Sequence, residues 1–269
     1  MKTKVDFNPA ADHHGSTDRV WAVVPCGGKG SRAGGASPKQ YHPLAGWPVL
    51  AHTLNALAQV PGLQGVVLAI APDDFWFEST HAGLPPGGFA HLPAVQQRHA
   101  ATSGGWLQVR RCAGDSRAQT VLNSLQQLQD DGLVNPGDWV MVHDAARCLV
   151  KPLDITTLMD ACKADPVGGL LAIPLPDTLK QAVAGRVGAT LARDDKWLAQ
   201  TPQMFRHGDL LQAMVSAARM GLERITDESS AMEQQGYQPR LVPGSPENIK
   251  LTYPPDFALA EAILKERQS

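Results

Sequence analysis

The sequence has no excess of either charge, no closely paired cysteines and no long apolar run. Its 24 lysine and arginine residues face 26 aspartate and glutamate residues, which gives a formal net charge of -2. Nucleic-acid-binding domains usually carry a basic face, so this balance argues against that class of protein. It does not argue against a small phosphate ligand, because a few basic side chains in one cleft are enough to bind one.

The four cysteines are scattered, and no Cys-x-x-Cys pair occurs among them. This spacing matches neither a zinc site nor the disulfide framework of a small secreted protein, so we expect reduced thiols and a cytoplasmic location. No apolar run approaches the length of a membrane span, and we expect no membrane partner. Residues 1–18 lack the apolar centre of a signal peptide, and we expect a disordered polar tail in which His13 and His14 are incidental.

What the sequence does contain is typical of an α/β protein. With 269 residues, 43% of them hydrophobic, the chain can bury a large core without disulfides. Short apolar runs alternate with segments of helical apolar spacing, which predicts a Rossmann-like, mostly parallel sheet with helices on both faces. The predicted strands are residues 20–24, 66–70, 109–111, 139–142, 169–173, 240–242 and 248–251. Two helices are predicted to begin after Pro48 and near Val121. The other predicted helices cover residues 153–162, 210–218, 227–235 and 255–265.

Two stretches interrupt this alternation. Residues 79–106 are rich in glycine, proline, alanine and histidine, and we expect a long surface loop or insertion there. Residues 174–197 hold two short segments around Gly185, which favours a β-arm that projects from the sheet as a hairpin. Because no internal repeat occurs, we predict a single domain over residues 19–266 with this arm, rather than two domains.

The most informative segment is the glycine-rich loop of residues 25–33, which follows the first predicted strand. Glycines let backbone N–H groups approach a phosphate chain closely. Gly28, Gly30 and Ala33 fit a dinucleotide-binding Gly-x-Gly-x-x-Ala pattern. However, the loop does not lead directly into a helix, and no acidic residue follows about 20 positions later. A Walker-type phosphate loop is excluded, because Lys29 is followed by glycine rather than serine or threonine.

A third interpretation is a nucleotidyltransferase loop, in which Arg32 and Lys39 accompany the glycines. Two cations on a phosphate-binding loop suit a triphosphate, which carries about four negative charges. On this segment alone, a plain glycine turn with solvated charges stays open. Just after the predicted strand of residues 139–142, Asp144 is placed to bind Mg²⁺ or the ribose, although it is also suited to cap the next helix.

Further motifs follow in a fixed order along the chain. The segments are residues 25–41, ending in Pro-Lys-Gln-Tyr, then 113–121, 142–147, 176–180, 200–203 with 225–228, and 248–252. Together they resemble the 2-C-methyl-D-erythritol 4-phosphate cytidylyltransferase family, and the resemblance spans residues 20–261. The chain departs from the family pattern at Cys26, Gly27, Ala33, Thr120 and Cys148, and in the length of residues 79–106. None of these departures removes a charged group.

The resemblance implies a fold of the nucleotide-diphospho-sugar transferase type and the transfer of CMP from CTP to 2-C-methyl-D-erythritol 4-phosphate. It implies Mg²⁺ as cofactor and a homodimer in which the arm of one subunit reaches the active site of the other. The implied catalytic residues are Arg32, Lys39 and Lys250. The implied nucleotide-binding residues are Cys26, Gly27, Gly28, Gly30, Gly114, Asp115, Thr120, Asp144 and Ala145, with Asp144 also the metal ligand. The implied substrate-binding residues are Thr178, Arg193 and Thr201.

Several alternatives stay open from the sequence. A phosphate monoester has a second pKa of about 6 and is ionised at neutral pH, so the reaction needs no general base and His143 is interpreted as a packed strand-end residue. Thr120 is equally suited to bind cytosine or to cap a helix, and Arg193 by itself is one of several surface arginines. Three other functions stay open: that of a ribitol-5-phosphate cytidylyltransferase, that of a sugar-1-phosphate nucleotidyltransferase using UTP or GTP, and that of a nucleotide-binding protein without catalytic activity. The last is disfavoured by the intact set of Arg32, Lys39, Asp144 and Lys250.

Overall fold

A computed structural model of the chain describes residues 19–28, 37–80, 83–102 and 105–267. The strands of these residues are β1 (Val20–Pro25), β2 (Pro43–Leu44), β3 (Trp47–Pro48), β4 (Leu63–Ala69), β5 (Leu107–Arg110), β6 (Trp139–Val142), β7 (Gly168–Pro174), β8 (Leu179–Val183), β9 (Arg186–Leu191), β10 (Trp197–Arg206) and β11 (Arg240–Pro243). The helices are α1 (Val49–Ala58), α2 (Trp76–Ser79), α3 (Pro93–Ala101), α4 (Arg117–Asp130), α5 (Pro152–Lys163), α6 (His207–Met220), α7 (Glu228–Gln234) and α8 (Pro254–Glu266). Short 3-10 helices cover Lys39–Tyr41, Gly88–His91 and Leu222–Arg224.

One large sheet organises the described residues. Its seven strands lie in the order β11, β7, β10, β6, β1, β4, β5. β10 is antiparallel to both of its neighbours, and the other neighbouring pairs are parallel. The predicted α/β class with a mostly parallel sheet is therefore confirmed. The chain passes from β1 to β4 and β5 on one side and then crosses to β6 on the other. The point where the order reverses lies beside β1, where open α/β sheets bind their ligands.

The side chains of β1 divide between two cores, one on each face of the sheet. Val20, Ala22 and Val24 pack on one face with residues of α1, α3 and α5. Trp21 and Val23 pack on the other face with residues of α4, α6 and α7. Successive side chains of a strand point to opposite faces, so a strand buried on both faces shows a continuous apolar run. A third cluster joins α8 to residues that follow β6, near the carboxyl end of the sheet.

The predicted β-arm is confirmed as the antiparallel hairpin of β8 and β9, which is separate from the large sheet. Ala184 and Gly185 form its two-residue turn, with φ angles of 47° and 76°. Two positive φ angles are the geometry of a type I′ turn, whose twist matches that of a hairpin. Val183 and Val187 beside the turn are 59% and 68% exposed, so the hairpin carries apolar side chains into solvent.

The prediction of an irregular loop over residues 79–106 was wrong for much of its length. This stretch contains the 3-10 helix Gly88–His91 and helix α3. Leu92 and Val95 are completely buried, and they belong to the same core as α1. The sequence pattern hid α3 because Val95 is its one buried residue, so no apolar stripe at helical spacing appears.

Two other predictions need correction. Residues 248–251 form no strand; Asn248 belongs to a turn, and Leu251 donates one backbone hydrogen bond to Ala146. The long strand β10 was not predicted, because Pro202 in its middle is a residue that central strands rarely contain. The pairing of β10 with β7 is irregular around Pro202, between Ala199 and Gln203, which accommodates the missing N–H.

The tail of residues 1–18 lies outside the described residues, and the assignment of residues 19–266 to a single domain stays a prediction. Among the described helices, none has both the length and the apolar character needed to cross a membrane.

Candidate active site

A cleft of about 850 Å³ opens at the carboxyl ends of the parallel strands β1, β4, β5 and β6. Its walls are the segments that directly follow these strands, together with the turn that contains Lys39 and the segment that contains Lys250. The predicted site residues that line it are Cys26, Gly27, Gly28, Lys39, Gly114, Asp115, Thr120, Asp144, Ala145 and Lys250. Residues far apart in the sequence therefore meet in one cavity, because parallel strands bring their carboxyl ends to the same edge.

Gln40 fixes the first residues of the glycine loop through two hydrogen bonds. The Gln40 Nε2 atom donates to the carbonyl oxygens of Cys26 at 3.0 Å and of Gly28 at 3.1 Å. A Cβ atom at Gly27 would lie 2.3 Å from the Cβ of Ala113, so only glycine fits between the two walls. Burial raises the pKa of the Cys26 thiol above its ordinary value, and the thiol is therefore a neutral part of the wall rather than a nucleophile.

Asp144 is a buried carboxylate surrounded by cations. Arg117 Nε donates to its Oδ1 at 2.6 Å, and Lys250 Nζ lies 2.8 Å from its Oδ2. Arg147 Nε lies farther away, at 3.9 Å. Burial alone would raise the pKa of Asp144, but the charges of Arg117 and Lys250 hold it below its ordinary value. The carboxylate is therefore ionised at neutral pH, and it does not cap α5, whose N-cap is Lys151.

The pair of Arg117 and Glu228 was missed by the sequence analysis. Arg117 Nη1 and Nη2 donate to the two carboxylate oxygens of Glu228 at 2.8 and 3.0 Å, and the Glu228 side chain is 1% exposed. Burial lowers the pKa of Arg117, but Glu228 and Asp144 outweigh it and raise the pKa, so the guanidinium stays charged. A sequence signal did exist: Glu228 follows Asp227, the N-cap of α7, in a segment that resembled the family.

Lys39 lies in the 3-10 helix Lys39–Tyr41 at the rim of the cleft. Its Nζ donates to the carbonyl oxygen of Leu251 at 2.7 Å, which ties the glycine-loop side of the cleft to the segment of Lys250. Leu251 is fixed in turn by its backbone bond to Ala146, two residues after Asp144. Lys39 and Lys250 are thus brought to one cavity from opposite ends of the sequence.

His143 is completely buried beside Asp144, and its contacts define its protonation. The Thr201 hydroxyl accepts from the backbone N–H of Asp144 at 3.0 Å and lies 3.1 Å from His143 Nδ1. His143 Nε2 lies 3.2 Å from the carbonyl oxygen of Arg147, so Nε2 donates and Nδ1 accepts. Burial lowers the pKa of His143 to about 4, and the ring is neutral at pH 7. These contacts agree with the interpretation of His143 as a packed strand-end residue.

Thr120 does not cap a helix. The N-cap of α4 is Ser116, whose hydroxyl accepts from the backbone N–H of Gln119 at 3.0 Å. Thr120 lies within the first turns of α4, where its hydroxyl donates to Ser116 O at 2.9 Å and accepts from Gly114 N at 3.1 Å. It therefore shapes the loop of Gly114 and lines the cleft at the same time.

A smaller cavity of about 140 Å³ adjoins the cleft and shares Arg117, Asp144 and Lys250 with it. Thr201 and Arg147 also line this second cavity. These three charged groups, of which Arg117 and Lys250 are cations, therefore face both spaces, so that an anionic ligand in either cavity would meet positive charge.

Two predicted residues among those that the structure describes are not brought to either cavity. Thr178 and Arg193 lie at the base of the hairpin, where Arg193 donates to the carbonyl oxygen of Pro176, and neither lines the cleft or the smaller cavity. Gly30 and Arg32 lie outside the described residues. The functional roles of all four stay predictions.

Comparisons with known proteins agree with this geometry. Residues 20–86 and 95–266 match the family model described as 2-C-methyl-D-erythritol 4-phosphate cytidylyltransferase. The chain is 51% identical over 254 residues to the bifunctional enzyme IspD/IspF of Albidiferax ferrireducens, covering 94% of this chain and 55% of that protein. It is 46% identical over 250 residues to the 2-C-methyl-D-erythritol 4-phosphate cytidylyltransferase of Burkholderia cenocepacia, covering 92% of this chain and 97% of the relative.

Solved structures show the same fold. A crystal structure of 4-diphosphocytidyl-2C-methyl-D-erythritol synthase superposes with a TM-score of 0.74 at 30% identity, covering 93% of this chain and 99% of the other. The 2-C-methyl-D-erythritol 4-phosphate cytidylyltransferase of Francisella tularensis superposes with a TM-score of 0.72 at 29% identity, covering 91% and 99%. From its family match, its relatives and its fold, the chain belongs to the 2-C-methyl-D-erythritol 4-phosphate cytidylyltransferase family.

Proposed function

We propose that the chain transfers CMP from CTP to 2-C-methyl-D-erythritol 4-phosphate and releases pyrophosphate. The product is 4-diphosphocytidyl-2-C-methyl-D-erythritol, a step of the non-mevalonate route to isoprenoid precursors. The observation that carries the proposal is the cleft of a cytidylyltransferase-family chain, in which Lys39, Lys250 and the ionised Asp144 meet at the start of the glycine loop. The chain is an enzyme of the nucleotidyltransferase class.

The reaction forms one phosphorus–oxygen bond and breaks another. A monoester oxygen of the polyol phosphate attacks the α-phosphorus of CTP, and the bond from that phosphorus to the bridging oxygen breaks, so that pyrophosphate leaves with the electron pair. The attacking oxygen is already ionised at neutral pH, so no side chain has to accept a proton. The enclosed ring of His143 supports this view, since it lines neither cavity and its two nitrogens face the Thr201 hydroxyl and the Arg147 carbonyl oxygen.

Catalysis then depends on positioning and on positive charge. Two anions must approach each other, and negative charge accumulates on the α-phosphate oxygens in the transition state. Lys39 and Lys250 supply positive charge to one cavity, and Arg117 and Arg147 lie around Asp144 at the boundary of the two cavities. Arg32 stays a predicted third cation of the glycine loop.

The residues present fit a Mg²⁺ ion that arrives with the triphosphate, rather than one held by the protein alone. Within the described residues, no group of three histidine, cysteine, aspartate or glutamate side chains is arranged to hold a metal. Mg²⁺ prefers oxygen ligands and binds through phosphates plus one or two carboxylates, and Asp144 is an ionised carboxylate in the cleft. When bound, the ion would neutralise phosphate charge. Lys250 Nζ, now on Asp144 Oδ2, would then turn from the carboxylate towards a phosphate oxygen.

Cytosine recognition is proposed for the walls of the same cleft. Gly114, Asp115 and Thr120 line this cleft together with Cys26 and Gly27. Gly27 packs directly against Ala113, which brings the start of the glycine loop next to the segment of Gly114 and Asp115. Ala145 and Asp144 lie next to this region and are proposed to contact the ribose.

The polyol phosphate is proposed to occupy the smaller cavity, beside Thr201 and Arg147. Thr178 and Arg193, at the base of the hairpin, are proposed to complete this site from the partner subunit of a homodimer, since neither lines the cleft or the smaller cavity of its own subunit. The exposed apolar side chains of the hairpin, among them Val187, support the proposal that a partner subunit covers the arm. A cytoplasmic location is part of the same proposal.

The test is pyrophosphate release with purified protein, CTP, Mg²⁺ and 2-C-methyl-D-erythritol 4-phosphate. Parallel reactions replace CTP by UTP or GTP, and the polyol phosphate by ribitol 5-phosphate. We expect turnover with the first combination and little with the others. Higher turnover with ribitol 5-phosphate would contradict the proposal. So would binding of CTP that is followed by no pyrophosphate release whichever polyol phosphate is added.

A further inference from the structure

An insertion in this chain packs against the turn that carries Lys39. The family model matches the chain up to residue 86 and again from residue 95, so residues 87–94 lie outside it. Phe89, in the 3-10 helix Gly88–His91 of this stretch, is 3% exposed. Its ring is stacked on that of Phe77 with the centroids 5.2 Å apart, and its centroid lies 6.5 Å from that of Tyr41.

Tyr41 is held from two directions. On one side it packs against Phe89, and on the other its hydroxyl donates to Asp74 Oδ2 at 2.7 Å. Asp74 Oδ1 accepts in turn from the backbone N–H of Phe77 at 3.2 Å. Tyr41, Asp74, Phe77 and Phe89 therefore form a closed set of contacts, which we call the Tyr41 cluster.

The Tyr41 cluster is connected to the active site by the two residues that precede Tyr41. Gln40 donates to the carbonyl oxygens of Cys26 and Gly28, and Lys39 donates to Leu251 O. All three residues belong to one 3-10 helix, which is a single turn long. A turn this short is stabilised mainly by packing. A displacement of Tyr41 therefore displaces Lys39 and the carbonyl groups at the start of the glycine loop.

The longer segment of residues 83–102, which contains the insertion, is itself anchored. Arg98, in α3, donates from Nε to the carbonyl oxygen of Ala58 at 2.8 Å and from Nη2 to that of Val60. These are carbonyl groups at the C-terminal end of α1, which a helix leaves without partners of its own. Since α1 follows the turn of Lys39 within the same core, the segment of residues 83–102 is fixed at the far end of α1 by Arg98 and contacts the turn at the near end through Phe89.

We propose that residues 83–102 are a positioning element of the nucleotide site, in which Phe89 acts through Tyr41 to hold Lys39 and Gln40 in the orientation that binds a nucleoside triphosphate. The identity of the ligand rests on the proposed function. The role of Phe89 in fixing the turn of Lys39 does not depend on that function, because it follows from contacts within the chain. Phe89 and Tyr41 are positioning residues, as neither side chain lines the cleft.

The experiment compares Phe89→Ala with Val95→Ala in the full chain. Val95 is a buried residue of the same segment, residues 83–102, and lies outside the Tyr41 cluster, so its variant controls for general loosening. We expect the amides of Tyr41 and His42 to exchange hydrogen about tenfold faster in ligand-free Phe89→Ala, because the turn opens locally. We expect the Kd for CTP, measured by calorimetry, to rise about tenfold through misplacement of Lys39. Val95→Ala should alter neither quantity, and Phe89→Leu should restore most of both.

Wild-type exchange or a wild-type Kd for CTP in folded Phe89→Ala would overturn the proposal, and so would equal changes in Val95→Ala. If Phe89→Ala does not fold, Tyr41→Leu decides, since it removes both the ring that Phe89 contacts and the hydroxyl bond to Asp74. A raised Kd for CTP in Tyr41→Leu supports the positioning role, and an unchanged Kd contradicts it. Failure of the wild-type chain to bind CTP or release pyrophosphate would count against the proposed function instead.

Discussion

At the scale of single residues, Asp144 determines how the cations of the cleft are arranged. Its two carboxylate oxygens contact Arg117 and Lys250, and its backbone N–H is fixed by Thr201. Arg117 is held in turn by the buried Glu228. Because Arg117 is anchored on Glu228 and Lys250 is 38% exposed, Lys250 is the cation that is able to move when a phosphate enters.

Lys39→Ala is expected to lower kcat by about 100-fold or more, since a preorganised positive charge at the reacting phosphates is lost. The melting temperature should change little, because the side chain lies at the rim of the cleft and makes a hydrogen bond to Leu251 O rather than core contacts. The measurement is pyrophosphate release together with thermal unfolding. Lys265→Ala on the outer surface of α8 is the matched control, and near wild-type turnover of Lys39→Ala would contradict the role.

Glu228→Gln is expected to reduce both stability and turnover. The glutamine amide places an N–H group opposite the N–H donors of Arg117. Removing one charge of a buried ion pair lowers the unfolding free energy by about 3–5 kcal/mol. Asp144 then loses its fixed orientation, so kcat should fall even at temperatures where the variant is folded. Urea unfolding and pyrophosphate release provide the two measurements.

Glu247→Gln is the matched control for this prediction. Glu247 also contacts two cations, Lys151 and Arg267, but its side chain is 38% exposed. A solvated ion pair is worth about 1 kcal/mol or less, so this variant should resemble wild type. Equal losses in the two glutamine variants would show that Glu228 has no special role.

At the scale of elements, the hairpin of β8 and β9 carries the proposal that two subunits share their sites. Its apolar side chains are exposed in the single chain, and Thr178 and Arg193 at its base line neither the cleft nor the smaller cavity among the described residues. Large exposed apolar surfaces commonly mark a protein–protein interface. The hairpin therefore offers separate tests of assembly and of catalysis in trans.

Val187→Lys is expected to weaken the proposed dimer, because a lysine at this position would place a charge within the proposed apolar interface. The measurement is sedimentation over a range of protein concentrations. Leu153→Lys on α5 is the control, since Leu153 is 73% exposed against 68% for Val187 but lies far from the hairpin in the sequence. If both variants dissociate alike, or if neither does, the hairpin is not the principal contact.

Mixing Lys39→Ala with Arg193→Glu is expected to restore activity that neither variant has alone. In a hybrid dimer, one of the two sites combines an intact Lys39 with an intact Arg193 of the other subunit. Random assortment of subunits gives about a quarter of wild-type activity. Absence of recovery, with hybrid dimers demonstrated by mass spectrometry, would contradict sharing of the sites.

The elements differ in how well the sequence predicted them. β1, β6 and α5 were predicted within two residues, because a strand buried on both faces or a helix with one apolar stripe shows a clear periodic pattern. α3 and β10 were missed for opposite reasons. α3 buries only one of its residues, Val95, while β10 contains a proline that is accommodated by an irregular register with β7.

At the scale of the whole molecule, buried histidines make the stability of the fold depend on pH. Burial lowers the pKa of His52, His143 and His207, and for His143 the value falls to about 4. The unfolded chain has histidine pKa values of about 6.5, so it takes up protons first as the pH falls. The stabilising contribution is therefore complete above pH 6.5 and is lost as the pH falls from there towards 4.

His143→Gln is expected to flatten this dependence, since glutamine supplies an acceptor for Thr201 and a donor for the Arg147 carbonyl but does not titrate. The wild-type unfolding free energy should fall by about 1.4 kcal/mol more per pH unit between pH 6 and 5 than that of the variant. Urea unfolding at several pH values measures the difference. Parallel profiles for the two proteins would show that His143 takes up its proton equally in the folded and unfolded states. Turnover at pH 7.5 should be largely kept, because no base is needed there.

The sequence by itself determined the alternating elements, the glycine loop and the order of the family motifs, since each depends on residues close together in the chain. Only the tertiary structure decided that Glu228 anchors Arg117, that Phe89 supports Tyr41, and that Lys39 shares a cavity with Lys250. The physical reason is that these contacts join residues far apart in sequence, and their partners follow from strand order and helix packing. A local pattern of polar residues does not predict which buried carboxylate contacts which guanidinium.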